Sequence, residues 1–360
     1  MSAFKPFFVV LAVCLFGGIT AFSQRELIYT FDTSLHFNPH SASYLFAHLK
    51  VVDNRYNKAD IGQVKTGGFN RKGALVTDKP LDQAISEFYD NISIYNRKGK
   101  DTLLLTVEDF RIEDRPNGDE IGTFYFRGRF FIGAGGGKYI YLKEVDTIYE
   151  VRSGWDVTGK ILAGASLKMF EWLTDIGAPK LASRDDLMSP SDAAGMEARE
   201  KMQYSIYAAG GNFKKGVYAS YEDFLDHKVI DTPFVQQNHF VDNKVNRPYF
   251  YYANKRGKKG QRIDSVFAIY NGQSWYQPHK GGWTRLRYEN GDFHKKENYR
   301  GLAGSQNSAA AMGAMFGLAG VAIAAIAVAA DDNSSGTVLG VYDCRLNPVK
   351  RKYYPVKRVY

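Results

Sequence analysis

Residues 123–151 read TFYFRGRFFI, then GAGGG, then KYIYLKEVDTIYEV. Aromatic and β-branched residues dominate both long runs, while only glycine and alanine lie between them. Runs of this composition favour strands, and a Gly-rich break between two strands is typical of a hairpin turn. The stretch therefore predicts a long antiparallel hairpin, whose apolar surface needs other elements to cover it.

The residues before this hairpin supply such elements. Leu45 to Val52 predicts a strand, and Asp53-Asn-Arg55 opens a polar, Gly-rich stretch that runs to Gly73. Asp78 can cap a helix with one apolar face, and Leu103 to Val107 alternates as a strand does. The apolar residues of that helix recur at helical spacing: Leu81, Ile85, Phe88, Tyr89 and Ile92.

A second helix is predicted after the hairpin, from about Thr158 to Ile176, and Gly177 ends it. Its apolar stripe consists of Ile161, Leu162, Ala165, Met169 and Leu173. Residues 24–180 therefore predict one α+β module. Residues 181–205 are mostly polar and small, and they predict a linker with a short helix capped near Ser189.

Residues 206–360 change to short aromatic and β-branched runs separated by turn signals. Gly216 to Phe224 predicts a strand followed by a short helix, and Asn254 to Gln261 predicts a basic loop. Asn271-Gly272 and Asn290-Gly291 are the dipeptides that type I′ hairpins require. The chain is therefore expected to be α+β, an α+β module followed by a mainly antiparallel β module with an inserted apolar, Ala/Gly-rich helix.

That inserted segment is Ala309 to Ala330, 22 consecutive residues without a polar side chain. As a helix it would be about 33 Å long, enough to cross a bilayer core. Gly313, Gly317 and Gly320 give it a smooth face of the kind along which helices pack in lipid. We expect membrane contact, or packing of this helix against protein.

Strand-like sequence on both sides of residues 309–330 restricts how the segment can lie. If both flanks belong to one sheet, a single crossing would place them in different compartments. A helical hairpin that bends near Gly317 to Gly320, a helix that enters one leaflet and returns, and a helix buried in protein all avoid this conflict. These alternatives remain open from the sequence.

The N-terminus predicts export. Residues 1–23 combine Lys5, an apolar run from Phe7 to Phe16 and small residues before a cut after Ser23, as a signal peptide does. An uncleaved anchor and lipidation at Cys14 are the alternatives. Cleavage would leave Cys344 as the sole thiol, so no intramolecular disulfide is expected.

The formal net charge of +9 favours an anionic partner. For an exported protein we expect lipid headgroups or acidic glycans rather than nucleic acid. A concentrated cationic turn is the candidate contact, although a solvated hairpin tip would explain it too. Its cations are Lys255, Arg256, Lys258, Lys259 and Arg262.

Aromatic residues on neighbouring predicted hairpins offer a second candidate site. They could form a platform for a sugar ring, or they could be sheet core. These residues are Trp275, Tyr276, Trp283 and Tyr288.

Signals for catalysis or for a cofactor are lacking in the sequence. Gly133 to Lys138 resembles a phosphate loop but lies between predicted strands, where a flexible hairpin tip is expected. His36 and His40 are separated by Asn38-Pro39, which breaks the helix that a metal pair would need. No metal site, cofactor or catalytic residue is therefore predicted.

The signal ending in Ser23-Gln24, the phrase Gly216-Val-Tyr-Ala-Ser-Tyr-Glu-Asp-Phe224 and the later Asn-Gly hairpins resemble uncharacterised exported proteins of Bacteroidetes-type bacteria. Val51-Val-Asp-Asn-Arg55, with a long helix after it, makes the first module similar to YajG-like envelope lipoproteins. Neither resemblance implies an enzymatic activity.

Three hypotheses follow. The first is a non-catalytic cell-envelope protein in the periplasm, held at a membrane by residues 309–330. The second is a soluble periplasmic or surface glycan-binding protein or hydrolase that uses the aromatic hairpins. The third is a homo-oligomer whose faces around Gly313 to Gly320 pack together.

Overall fold

The computed structural model describes residues 26–35, 46–66, 71–93, 101–115, 120–154, 156–176, 187–241, 245–279, 282–300 and 338–359. The chain divides into two compact units, the first comprising residues 1–132 and 142–182 and the second residues 133–141 and 183–360. The expected signal at residues 1–23 and the apolar segment 309–330 both lie outside the described residues.

The first unit combines one sheet with two helices. The strand order is β1-β4-β3-β5-β6-β7, and β2 also pairs with β5. The hairpin predicted from residues 123–151 is confirmed as β6 and β7. The strands are β1 (Glu26–Tyr29), β2 (His48–Asp53), β3 (Gly62–Thr66), β4 (Arg71–Thr77), β5 (Thr102–Arg115), β6 (Glu120–Gly135) and β7 (Lys138–Ser153), and the helices are α1 (Leu81–Ser93) and α2 (Val157–Thr174).

Strand β5 is flanked on one side by two shorter strands in succession. β2 pairs in parallel with its first half, and β3 pairs in parallel with its second half through Gly62 opposite Ile112. Gly62 has φ +132°, and a Cβ there would lie 1.9 Å from the Ile112 carbonyl oxygen. Only glycine fits this approach, since any side chain would collide with the neighbouring backbone.

Both predicted helices of the first unit are confirmed, and their predicted apolar stripes are buried except for Leu162, which is half-buried. In α2, Trp172 stacks on Phe126 with ring centroids 4.9 Å apart and on Phe124 at 5.6 Å. In α1, the Tyr89 hydroxyl donates a 2.7 Å hydrogen bond to the Phe46 carbonyl. The polar stretch expected from Asp53 to Gly73 is not a continuous loop, because β3 lies within it and β4 begins within it.

The second unit contains a large and a small antiparallel sheet. The large sheet has the order β17-β16-β15-β14-β13-β12-β8, and the small one β11-β10-β9. The strands are β8 (Gly216–Tyr218), β9 (Phe234–Val241), β10 (Val245–Ala253), β11 (Lys259–Arg262), β12 (Ala268–Tyr270), β13 (Trp275–His279), β14 (Gly282–Glu289), β15 (Asp292–Arg300), β16 (Val338–Asn347) and β17 (Lys352–Arg358).

Short helices complete the second unit. They are α3 (Pro190–Ala194), α4 (Met196–Met202), α5 (Ser205–Ala208) and α6 (Tyr221–Leu225). A capping box between Ser189 and Asp192 begins α3, as the sequence predicted for a short capped helix. Helices combined with mainly antiparallel strands confirm the α+β class.

The large sheet is covered on both faces. Trp275 packs in a core with Tyr207 of α5 and Phe224 of α6, whereas Tyr276 packs against a core that contains Phe250 of β10. Trp275 and Tyr276 are adjacent in β13, so their side chains point to opposite faces. The helices therefore cover one face and the small sheet covers the other.

Strands β15 and β16 are direct neighbours. Their antiparallel pairing runs from His294 opposite Arg345 to Arg300 opposite Val338. Arg300 and Val338, the described residues on either side of 301–337, therefore pair at one end of the same sheet.

Two turn predictions need correction. The basic loop expected from Asn254 to Gln261 is shorter, because Lys259–Arg262 forms β11 and pairs with β10. Asn290 (φ 52°) and Gly291 (φ 80°) both adopt the left-handed backbone of a type I′ turn. At 271–272 only Gly272 is left-handed, and the Asn271 side chain instead accepts a 2.7 Å hydrogen bond from the Ser274 N–H.

Candidate functional site

The cationic turn predicted from the sequence is an ordered hairpin tip between β10 and β11. The Asn254 side-chain oxygen accepts hydrogen bonds from the N–H groups of Arg256 at 2.9 Å and Lys258 at 3.0 Å. Gly257 supplies the left-handed backbone with φ 69°. These local bonds fix where the cations project, so the tip presents a defined surface.

Aromatic rings support two of the cations. The Lys259 ammonium lies 4.0 Å from the centroid of the Tyr251 ring, and the Arg262 guanidinium lies 4.7 Å from that of Tyr249. His239 of β9 adds a ring 4.9 Å from Tyr249 and lies 3.3 Å from the Tyr251 hydroxyl. The attraction between a cation and the negative ring face orients both charged groups on this side of the small sheet.

Little negative charge balances this surface. Lys255, Arg256, Lys258 and Lys259 are exposed, and among the described residues only Arg262 of the predicted set has a carboxylate partner, Asp264 at 2.6 Å. The positive charge of the chain is also unevenly spread, since residues 183–360 contain 25 Lys and Arg against 17 Asp and Glu. The surface therefore favours an anionic ligand.

The opposite face of the small sheet fastens it to the rest of the second unit. Phe250 packs 4.9 Å from Trp283 and 5.1 Å from Tyr276, measured between ring centroids. Ile263, next to β11, is buried in the same core as Val217. A buried apolar face beneath it makes the cationic hairpin a rigid part of the fold.

The four rings predicted as a sugar platform do not come together on one exposed face. Trp275 is 2% exposed and packs with the helices, and Tyr288 packs against the same core. Trp283 is 7% exposed and lies with Tyr276 under the small sheet. The rings serve as core on two sides of the sheet, which is the alternative that the sequence also allowed.

Gly313, Gly317 and Gly320, predicted for helix packing or membrane contact, lie outside the described residues. Within the described ranges, none of the helices has the length and apolar content that crossing a membrane would require. Across the same ranges, no group of His, Cys, Asp and Glu residues is arranged to hold a metal ion.

A charged network around the buried side chains of Asp292 and Arg345 in the second unit was missed from the sequence. Arg345 of β16 contacts Glu197 of α4 at 3.0 Å and Asp292 of β15 at 3.5 Å, and Lys201 of α4 contacts Asp292 at 2.6 Å. Two cations and two carboxylates balance each other. The residues are far apart in the chain and follow no local pattern, so only the folded structure brings them together.

A second charged group includes His294, which is buried, and the partly exposed Asp343 and Arg287. The His294 Nδ1 atom lies 3.6 Å from Asp343, and the Arg287 guanidinium lies 2.6 Å from the same carboxyl. Burial raises the pKa of Asp343, but the interactions with His294 and Arg287 outweigh it and hold that pKa below its ordinary value. Because Asp343 is ionised and paired, we assign a structural role to this group.

The first unit also buries paired charges. Arg127 contacts Glu108 at 2.9 Å and Asp109 at 3.0 Å, and Arg129 contacts Glu108 at 3.3 Å. All except Asp109 are at most 3% exposed. Since each buried charge has an opposite charge in contact, we assign this cluster to structure and not to catalysis.

Comparisons with known proteins do not assign this chain to a family. No protein-family model matches the chain, and no curated protein matches it. A crystal structure of a Xanthomonas campestris protein of family DUF330 is 10% identical with a TM-score of 0.29, covering 42% of this chain and 91% of that one. The crystal structure of an uncharacterized protein is 17% identical with a TM-score of 0.25, covering 38% and 97%. At these values neither likeness supports a conclusion about fold or function.

The burial of Trp275 predicts that this side chain stabilises the core, as opposed to serving in a sugar-binding platform. Trp275→Ala should lower the free energy of unfolding by about 3–5 kcal/mol, because a large buried ring is lost. Urea unfolding followed by circular dichroism measures this loss. Gln273→Ala, at an exposed loop position, is the control and should change stability by less than about 0.5 kcal/mol. A Trp275→Ala protein of unchanged stability would show that the ring is not core.

Proposed function

We propose that this chain is a non-catalytic cell-envelope protein that associates with a membrane through residues 309–330. The export signal expected at residues 1–23 and the 22-residue apolar run support this proposal. The observation that carries it furthest is the pairing of β15 with β16, because this pairing decides how the apolar run can meet a membrane.

The pairing supports a membrane contact from one side. Arg300 lies opposite Val338, so the 37-residue connection leaves and rejoins the same end of the sheet. A single crossing would require residues 331–337 to return across the bilayer. Seven extended residues reach at most about 25 Å, and a bilayer core is about 30 Å thick. Asp331 and Asp332 would also be left within lipid, at a high energetic cost.

The proposal therefore favours entry and return through one leaflet. A bend near Gly317 to Gly320 would divide the apolar run into two arms, each too short to cross the core. The small-residue face of Gly313, Gly317 and Gly320 would let the arms approach each other or a second copy of the chain. This face also supports self-assembly as part of the proposed function.

Replacing residues 309–330 tests the attachment. The mature chain with a short Gly/Ser linker in their place should fractionate into the aqueous phase without detergent, whereas the unmodified mature chain should need detergent. A 22-residue Gly/Ser replacement is the matched control, because it keeps the length and removes only the apolar character. Partitioning of the unmodified chain into the aqueous phase would refute the membrane proposal.

Cysteine labelling tests one-sidedness. In a Cys344→Ala background, Ser305→Cys and Ser334→Cys should react alike with a membrane-impermeant maleimide on spheroplasts, because both ends lie on one side. Gln273→Cys, at an exposed position of the second unit, is the accessibility control. Labelling of one end and protection of the other until the membrane is permeabilised would demonstrate a single crossing.

A further inference from the structure

The small sheet packs near the end of the large sheet from which residues 301–337 depart. Strand β14 runs from Gly282 to Glu289, and β15 returns antiparallel to Arg300. Gly282 and Arg300 therefore lie at the same end of the sheet. Trp283, beside Gly282, is the residue on which Phe250 of the small sheet packs. The small sheet that carries the cationic hairpin thus packs against the strand next to the one from which the apolar connection departs.

We propose that the outer face of the small sheet docks on the anionic phospholipid headgroups of the membrane that residues 309–330 enter. This inference rests on the proposed function and specifies the lipid. The docking face is formed by the cationic tip, Lys255, Arg256, Lys258 and Lys259, together with Arg262 and the supporting rings of Tyr249 and Tyr251.

The chemistry of this face suits phosphate better than a neutral sugar. A sugar stacks on an open aromatic face, but Lys259 and Arg262 already lie over the rings of Tyr251 and Tyr249. Tyr251 keeps only 7% of its surface exposed. What the face offers outward is positive charge and N–H donors, the groups that bind phosphate oxygens.

Two weak contacts on one side make a stable attachment. An apolar segment confined to one leaflet binds reversibly, and a cluster of basic residues next to it adds attraction to anionic lipid. The hairpin is ordered by Asn254 and fastened by Phe250, so little conformational freedom is lost on docking. The two contacts are expected to cooperate, because the second unit contains both the cationic hairpin and the strands β15 and β16 that flank residues 301–337.

A vesicle-binding assay tests this docking. The mature full-length chain is diluted from detergent into vesicles of phosphatidylcholine alone or mixed with phosphatidylglycerol, and bound protein is separated by flotation. The cation variant combines Lys255→Gln, Arg256→Gln, Lys258→Gln and Lys259→Gln. It should bind the mixed vesicles at least about tenfold more weakly than wild type, since each basic residue contributes on the order of fivefold. Binding to phosphatidylcholine alone should be unchanged.

Two matched variants test whether the loss of vesicle binding depends on the charge of these four residues and on their position in the chain. A charge-preserving variant, Lys255→Arg with Lys258→Arg and Lys259→Arg, should bind as wild type does. A charge-matched control changes four other exposed cations of the second unit to Gln and should keep most of the binding. Those cations are Arg199, Lys214, Lys228 and Lys357.

The outcomes are distinct. Wild-type-like binding of the cation variant to mixed vesicles, or an equal loss in the charge-matched control, overturns the docking face and leaves the proposed function standing. Retention of wild type on an acidic polysaccharide, without any preference for phosphatidylglycerol, identifies an acidic glycan as the ligand and overturns it too. Failure of wild type to bind either vesicle overturns the proposed function together with the docking.

Discussion

The backbone pairing of β15 with β16 is the constraint on which the account of this protein depends. It places Arg300 opposite Val338 and so fixes both ends of the apolar connection on one sheet. Ion pairs from α4 to two buried partners reinforce it, because Glu197 contacts Arg345 of β16 and Lys201 contacts Asp292 of β15. Loss of one partner would leave a buried charge unbalanced, which costs several kcal/mol. The two strands are therefore held together by backbone and side chains.

Covering both faces of the large sheet has a functional consequence. Helices bury Trp275 on one face, and the small sheet buries Trp283 on the other. These aromatic side chains pack in the core, whereas the cations of the small sheet are on its exposed face. A fold that uses its rings for packing and its charges for the surface favours binding to an anionic partner over recognition of a neutral sugar.

Much of the fold could be predicted from the sequence, since periodicity reports burial directly. The helix Leu81–Ser93 followed from apolar residues at helical spacing, and the hairpin of residues 123–151 followed from two runs rich in aromatic and β-branched residues joined by a Gly-rich break. Lys259 to Gln261 were predicted as part of a basic loop, because they lack apolar residues. In the structure they belong to an exposed edge strand, where no face is buried and no burial pattern marks the sequence. The sequence could have shown that Trp275 and Tyr276 do not share one face, because adjacent residues of a strand point to opposite sides of its sheet. The ion pair of Glu197 with Arg345 required the tertiary structure.

The register of β15 and β16 can be measured with the native thiol. Lys295 lies directly opposite Cys344, and side chains in such a pair are close enough for a disulfide to form. In a chain beginning at Gln24, Lys295→Cys should form an intramolecular disulfide with Cys344 on mild oxidation, detected by non-reducing electrophoresis. Lys296→Cys, which points to the other face, should not. No disulfide in the first variant, or equal yields in both, would contradict the pairing and with it the one-sided attachment.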